Sequence, residues 1–104
     1  MRALAAGFIV VLPCTAVAQY DAIGDCQRHA TEFYQRDSDF RSFAIDARSV
    51  EEVAYDANVG SQYIAAIFRG RATYTGRRGK QTGTFICLHG GPGKGALFIY
   101  LRPR

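Results

Sequence analysis

The sequence predicts an α+β fold in which one N-terminal helix packs on an antiparallel sheet of four to five strands, pinned by one disulfide. Three observations support this fold class. An amphipathic helical pattern occupies only residues 21–37, alternating strand patterns fill the chain after Phe40, and a cysteine lies in each region. The length of 104 residues fits one domain, and 48% apolar with 21% charged residues is a globular composition rather than a disordered one.

The first 18 residues have the pattern of a secretory signal peptide. An N-terminal arginine precedes the apolar stretch 3–12, and residues 16–18 (Ala-Val-Ala) match the small-x-small pattern of signal peptidase sites. We therefore expect cleavage after Ala18, which leaves residues 19–104 as a single small domain in the periplasm or outside the cell.

A retained membrane anchor and a lipoprotein attached through Cys14 are the alternatives to cleavage. The apolar stretch is interrupted by Pro13 and is shorter than the roughly 20 residues that span a bilayer. Leu12 and Pro13 are also not the small residues that lipoprotein processing requires before the cysteine. We therefore expect no transmembrane segment after processing.

Residues 21–37 are predicted to be helical because apolar side chains recur there at three- and four-residue steps. The predicted apolar stripe consists of Ile23, Cys26, Ala30, Phe33 and Tyr34. Asp21 is placed to cap the start, and Asp25 lies in the first turn, where a negative charge suits the helix dipole. The polar run 36–39 predicts the end of the helix.

The strands are predicted where apolar and polar residues alternate. The predicted segments are residues 42–47, 52–56, 62–75, 82–89 and 96–102. In the long segment 62–75, one face carries Ile64, Ala66, Phe68, Ala72 and Tyr74. Turn-forming residues separate the segments at 58–61, at the hairpin tip 76–80 and at the glycine-rich run 89–95.

The last two strands are apolar on both faces. In one strand, Ile86 and Leu88 alternate with apolar residues that point to the opposite face. In the other strand, Phe98 and Tyr100 do the same. Since one helix covers only one face of a sheet, the second face must be curled over itself, covered by a second copy or another protein, or left as a functional patch.

Cys26 and Cys87 are predicted to form a disulfide, because two cysteines in a small exported domain are normally oxidised. Closing a loop of about 60 residues contributes roughly 4 kcal/mol in chain-entropy estimates. The bond would pin the helix onto the sheet. Two free thiols are the alternative.

Charge is distributed unevenly along the chain. All nine acidic residues lie within 21–56, whereas 57–104 contain eight basic residues and no acid. We interpret the second segment as the source of an anion-binding surface. Its candidate residues are Arg69, Arg71, Arg77, Arg78, Lys80 and Lys94, with Arg102 and Arg104 at the C-terminus. In an exported protein the anionic partner would be a lipid head group, an envelope polymer or an acidic protein.

Internal neutralisation is the alternative for part of this set, with Arg69 and Arg71 facing Glu52 or Asp56 across the sheet. Nucleic acid is not expected as a partner, because the basic tip lacks the interleaved aromatic residues of a single-strand binding surface.

The glycine-rich run 89–95 does not match a phosphate-binding loop. Leu88 stands where that motif needs glycine, Gly95 stands where it needs Ser or Thr, and a strand follows instead of a helix. A hairpin turn with several positive φ angles explains the glycines. No nucleotide or other cofactor is therefore expected.

His29 and His89 are weak candidates for a metal or pH-sensing pair. Each lies on the face of its neighbouring cysteine, so a parallel helix and strand would bring the rings together and an antiparallel pair would separate them. Two ligands alone make a poor site, and we expect no metal. No nucleophile motif or usable carboxylate pair is present, since the adjacent Glu51 and Glu52 point to opposite faces of a strand, and we expect no enzyme activity.

The chain from Cys26 onward resembles small exported proteins of unknown function in proteobacteria. The resemblance rests on Cys26 and on three segments: Phe43-Ala44-Ile45-Asp46, Val59-Gly60-Ser61-Gln62 and Phe85-Ile86-Cys87-Leu88-His89-Gly90-Gly91. It implies export and a small disulfide-bonded domain, and it implies no activity.

The sequence therefore favours a non-catalytic periplasmic binding module whose basic hairpin side meets an anionic envelope component or an acidic protein. Two alternatives belong to other classes. One is an inhibitor of an exported enzyme, by analogy with periplasmic lysozyme inhibitors of similar size. The other is a structural homodimer formed through the Ile86 and Leu88 side of the sheet.

Overall fold

The computed structural model describes residues 21–103 and shows one helix packed on a five-stranded antiparallel sheet, which confirms the predicted fold class. The elements are α1 (Ala22–Tyr34), β1 (Phe40–Ile45), β2 (Glu51–Val59), β3 (Gln62–Gly76), β4 (Gly79–His89) and β5 (Ala96–Pro103). The predicted signal peptide 1–18, with Cys14 and its cleavage site, and Arg104 lie outside the described residues. Within 21–103, no helix combines the length and apolar character needed to cross a membrane.

Asp21 caps α1 as predicted, because its Oδ1 accepts a hydrogen bond from the Gly24 N–H at 2.8 Å. The helix ends at Tyr34, earlier than expected, because the residues after it form the turns that lead into β1. Its buried line repeats every four residues. That line consists of Ala22, Cys26, Ala30 and Tyr34. Phe33, which the sequence placed in the buried stripe, lies outside this line and is 48% exposed.

The 15-residue strand β3 is the centre of the sheet. Along one edge it pairs with β1 through residues 72–76 and with β2 through residues 62–69, and along the other edge it pairs with β4. A 3-10 turn at Ala47–Ser49 joins β1 to β2 and passes over Gly70. A Cβ at Gly70 would lie 2.8 Å from the Ser49 Oγ, so this close approach requires glycine.

The helix reaches both outer strands of the four-stranded path β1-β3-β4-β5. The Gln27 side chain donates to the Phe43 carbonyl and accepts from the Ile45 N–H at 3.0 Å, while the Tyr34 hydroxyl accepts from the Leu101 N–H at 3.2 Å. Strands three positions apart in a flat sheet lie about 14 Å from each other. Side chains of α1 span this width, so the one helix contacts the inner face of the path from edge to edge.

The core fills the space between α1 and the inner face of the sheet. The predicted face of β3 is buried, with exposed fractions of 4% or less at Ile64, Ala66, Phe68 and Ala72. The predicted disulfide is present. Cys26 on α1 and Cys87 on β4 are both fully buried, and their Cα atoms lie 6.1 Å apart. The bond joins the helix to the sheet at the centre of this core.

Strand β2 is exposed along its whole length. Its predicted alternation produces no buried face, because α1 packs against β1, β4 and β5 and does not extend over β2. Val53 and Tyr55 are 45% and 42% exposed. A bulge between Ala54 and Ala57, with Asp56 at a φ of 47°, shifts the register before the turn.

Candidate binding surface

The sheet face that points away from α1, here called the outer face, is ordered in rows across the strands. Directly paired residues of neighbouring antiparallel strands share a face, so the register defines these rows. The first row is Val53, Ile67, Leu88 and Phe98, and the second is Glu51, Arg69, Ile86 and Tyr100. The third is Arg71, Thr84 and Arg102, followed by a row of Ala44, Thr73 and Thr82 and a row of Ser42, Thr75 and Lys80.

The outer face therefore changes character along the strands. We define its apolar end as Val53, Ile67, Ile86, Leu88, Phe98 and Tyr100. Its cationic end consists of Arg71, Lys80 and Arg102 on the face, together with Arg77 and Arg78 in the turn between β3 and β4. The two ends meet where the row of Ile86 and Tyr100 adjoins the row of Arg71 and Arg102. The sequence showed the charges and the apolar residues, but only the register shows that they share one face.

Arg69 and Arg71 are neutralised within the fold, although not by the predicted partners. The Arg69 Nε lies 2.9 Å from Glu51, and an Arg71 guanidinium nitrogen lies 2.7 Å from Asp46. Glu51 is directly opposite Arg69, whereas Glu52 is opposite Phe68 and points to the other face. The expectation of Glu52 or Asp56 as partner is therefore wrong by the register of β2.

Asp56 is instead engaged by Tyr63, whose hydroxyl donates to the Asp56 Oδ1 at 2.5 Å. This hydrogen bond raises the pKa of Tyr63, and partial desolvation and the negative charge of Asp56 act in the same direction. Asp56 sits at the β2 bulge, so its carboxylate serves the local hairpin rather than the arginines of β3.

The hairpin of β3 and β4 carries Arg77 and Arg78 in its turn and Lys80 at the start of β4, all of them exposed. Within residues 21–103, none of these three cations forms an ion pair with a carboxylate. The nearby acid Asp39 binds backbone instead: its Oδ1 accepts from the Arg77 N–H at 3.0 Å. The tip is therefore held in place by an acid that leaves its side-chain charges facing solvent.

Asp37 also holds the base of the tip, since the Tyr74 hydroxyl donates to its Oδ2 at 3.3 Å. Partial burial raises the pKa of Tyr74, and the nearby charge of Asp37 raises it further. Arg41 lies at the β1 bulge beside the tip and is exposed. Sequence reasoning missed Arg41, because pairing of β1 with the end of β3 cannot be read from local pattern.

The structure does not bring Lys94 to the cationic end. Lys94 lies in the turn after β4, and the 11 residues of β4 separate that turn from the hairpin tip. At about 3.3 Å per residue this is roughly 35 Å. Arg102 does reach the cationic end, because β5 runs back antiparallel to β4 and places Arg102 opposite Thr84.

The two histidines are separated, as expected for an antiparallel helix and strand. Asp25 precedes Cys26 and contacts His89, which follows Cys87, so the chain directions oppose each other across the disulfide. His29 lines a shallow cleft of about 160 Å³ between α1 and the start of β5. In the described part of the chain, no group of three or more His, Cys, Asp or Glu side chains could hold a metal ion.

His89 is fully buried, and both of its ring nitrogens bond within the fold. Nδ1 accepts from the Gly91 N–H at 2.9 Å, so the proton lies on Nε2, which donates to the Asp25 Oδ2 at 2.8 Å. The ring therefore orients the turn after β4. It is not placed to act as a general base.

The turn after β4 is the glycine-rich hairpin that the sequence predicts. Gly91, Gly93 and Gly95 have φ values of 101°, 79° and 79°, which side chains with a Cβ rarely adopt. The Gly90 N–H donates to the Gly95 carbonyl at 3.0 Å and closes the turn. A strand, β5, follows this turn, as the sequence predicts.

Comparison with known proteins adds no relative to this description. A scan against protein-family models gave no match, and searches of curated proteins and of solved structures found no similar protein.

Proposed function

We propose that the protein is a non-catalytic binding module of the bacterial periplasm or exterior, exported by residues 1–18 and cleaved after Ala18. Its cationic end binds an anionic component of the envelope or an acidic protein. The main observation in favour of this proposal is that Arg77, Arg78 and Lys80 are exposed and form no ion pair among residues 21–103. Arg69 and Arg71, in contrast, are each paired with a carboxylate.

Long-range attraction supports this proposal. Exposed cations that are not paired at short range attract anions over a Debye length of about 10 Å at 0.1 M salt. The nearby acids Asp37 and Asp39 reduce the field of the tip, but their oxygens bond to Tyr74 and to the Arg77 backbone rather than to the cationic groups. The guanidinium and ammonium groups thus remain available to a partner.

The test is retention on anionic envelope material at low and high salt. Changing Arg77, Arg78 and Lys80 together to alanine should reduce binding at low salt by tenfold or more, at roughly 1 kcal/mol per cation near an anionic surface. The matched control removes the same charge elsewhere, with Arg36, Arg48 and Lys94 changed to alanine. Equal binding by the two triple variants would refute the proposal, as would binding that does not weaken in 1 M salt.

A homodimer through the outer face is the second candidate, because its apolar residues are exposed. Ile86 is 39% exposed, and Phe98 and Tyr100 are 50% and 49% exposed. Sedimentation at high micromolar concentration tests it directly, since a monomer there would exclude a stable dimer. Inhibition of an exported enzyme remains a separate proposal, tested by assay against lysozymes.

A further inference from the structure

The apolar end of the outer face is an exposed surface without hydrogen-bonding side chains in its first row. Val53 and Phe98 at the two edges of that row are 45% and 50% exposed, and Ile67 and Leu88 between them are half-buried. Tyr100 extends the surface in the second row, with an apolar ring and a polar hydroxyl. Residues of this kind are common where a protein meets the boundary between lipid chains and water.

The cationic end continues directly from this apolar surface. Arg102 is two residues after Tyr100 on β5, which places both side chains on the outer face about 7 Å apart along the strand. Lys80 lies farther along the same face, and Arg77 and Arg78 lie in the turn just beyond it. Two acids beside this face, Glu51 and Asp46, are each paired with an arginine, and a third, Asp56 at the β2 bulge, accepts from the Tyr63 hydroxyl.

This combination fits a lipid surface better than a second copy of the chain. At about half exposure, the side chains Val53, Ile86, Phe98 and Tyr100 offer roughly 400 Å², so the rest of the approximately 800 Å² per partner of a stable interface would have to come from the residues around them. Extending a two-fold contact beyond the apolar end would bring cationic ends toward each other or onto apolar residues. An anionic bilayer supplies apolar chains and negative phosphates side by side.

We propose that the outer face docks on the surface of an anionic lipid bilayer. Phe98 and Tyr100 enter the headgroup region, and Arg102, Lys80 and the tip arginines contact lipid phosphates. This inference rests on the proposed function, because it uses the same cationic end and assigns its partner. It adds a role for the apolar end that binding to a soluble anion would not require.

The experiment uses the chain after cleavage at the proposed site following Ala18. It compares binding to vesicles of phosphatidylcholine alone with binding to vesicles that also contain phosphatidylglycerol. Phe98→Ser with Tyr100→Ser should weaken binding to the anionic vesicles about tenfold or more. The matched control is Phe33→Ser with Val59→Ser, two side chains that are 48% and 54% exposed away from the outer face. This control should bind like the unchanged protein.

A soluble polyanion, polyglutamate, separates the two proposals. If changing Arg77, Arg78 and Lys80 to alanine abolishes binding to polyglutamate and vesicles alike, while Phe98→Ser with Tyr100→Ser changes neither, the lipid inference is overturned and the proposed function stands. If the unchanged protein binds neither probe, both are overturned. Selective loss of vesicle binding in Phe98→Ser with Tyr100→Ser supports both.

A fluorescence measurement tests insertion independently of affinity. The chain contains no tryptophan, so Phe98→Trp introduces a single reporter at the apolar end. Its emission should move to shorter wavelength on anionic vesicles and be quenched by lipids brominated on their acyl chains. Phe33→Trp, on the helix, should show neither change. Equal responses from the two reporters, or no response from Phe98→Trp on vesicles that bind the protein, would contradict docking through the outer face.

Discussion

The imidazole of His89 donates from Nε2 to the carboxylate of Asp25 at 2.8 Å, and this contact joins the first turn of α1 to the end of β4. The other oxygen of the Asp25 carboxylate, Oδ1, accepts a hydrogen bond from the Arg28 guanidinium at 2.5 Å. The carboxylate thus links a fully buried ring to an exposed arginine. Through the second nitrogen of His89, the same contact reaches the turn that leads to β5.

Replacing Asp25 with alanine should lower the free energy of unfolding by about 1–3 kcal/mol, because the buried His89 N–H loses its acceptor. Arg28→Ala removes only the exposed ion pair and should cost less than about 1 kcal/mol. Asp25→Asn keeps an amide oxygen as acceptor and should lie between them. Urea unfolding measures all three, and equal losses in Asp25→Ala and Arg28→Ala would show that the contact with His89 contributes nothing.

Removing the disulfide should destabilise the fold by about 4 kcal/mol. Cys26 and Cys87 are fully buried, so replacing both with alanine tests the crosslink without introducing buried polar groups. Thermal unfolding with and without reductant is the measurement. The double variant should show the same transition under both conditions, and the unchanged protein should lose stability only when reduced. If the unchanged protein unfolded at the same temperature with and without reductant, the prediction would be contradicted.

Gln27→Met should destabilise the protein by about 1–3 kcal/mol, because the Phe43 carbonyl and the Ile45 N–H lose their partners at the edge of β1. The Ile45 amide should also exchange its hydrogen faster, which localises the effect. Gln62→Met, at the exposed start of β3, is the control: it should change the free energy of unfolding by less than about 0.5 kcal/mol and leave exchange at Ile45 unchanged. If the Ile45 amide hydrogen exchanged at the same rate in Gln27→Met as in the original protein, Gln27 would not be protecting the edge of β1.

Tyr74 should ionise at a higher pH than free tyrosine, because partial burial and then Asp37 raise its pKa above the ordinary value of 10.0. The folded state therefore holds this proton more tightly than the unfolded state. Its contribution to stability is complete below pH 10 and is lost as pH rises through the folded pKa. Tyr74→Phe should make stability less dependent on pH above 10, as followed by absorbance at 295 nm and by unfolding. If the stability of Tyr74→Phe and of the unchanged protein depended on pH in the same way above pH 10, ionisation of Tyr74 would not be linked to unfolding.

Gly83→Ala should displace the end of β5, because the new Cβ would lie 2.1 Å from the Arg102 carbonyl oxygen. We expect a loss of about 1–3 kcal/mol in stability together with weaker binding to anionic vesicles, since Arg102 moves. Thr82→Ala, on the exposed side of the same strand, should leave stability nearly unchanged. A Gly83→Ala protein with full stability and full binding would show that the backbone adapts without cost.

Local pattern was sufficient for several features of this fold. The alternation of residues 62–75 identified the buried face of β3, and Asp21 was recognisable as a cap because a helical pattern follows it directly. The pairing of Cys26 with Cys87 followed from their number and the expected export. Each of these depends on neighbours in sequence or on simple counting.

The candidate surface depended on long-range register and was therefore only partly predictable. The bulge in β2 shifts its pairing with β3 by one residue, which decides that Glu51 and not Glu52 faces Arg69. The direction of β4 places Lys94 far from the hairpin tip, although both lie in the same basic segment of the sequence. Charge composition identified the cations but not which of them share a face.

The position of β3 at the centre of the sheet has a consequence for the order in which the chain folds. β1 and β2 precede β3 in the sequence and both pair with it rather than with each other. During synthesis, they therefore emerge before their pairing template exists. The pairings β2–β3, β3–β4 and β4–β5 join consecutive strands, whereas the β1–β3 pairing and the disulfide from Cys26 to Cys87 close over long range. The first half of the chain thus has little reason to fold before the second half is present.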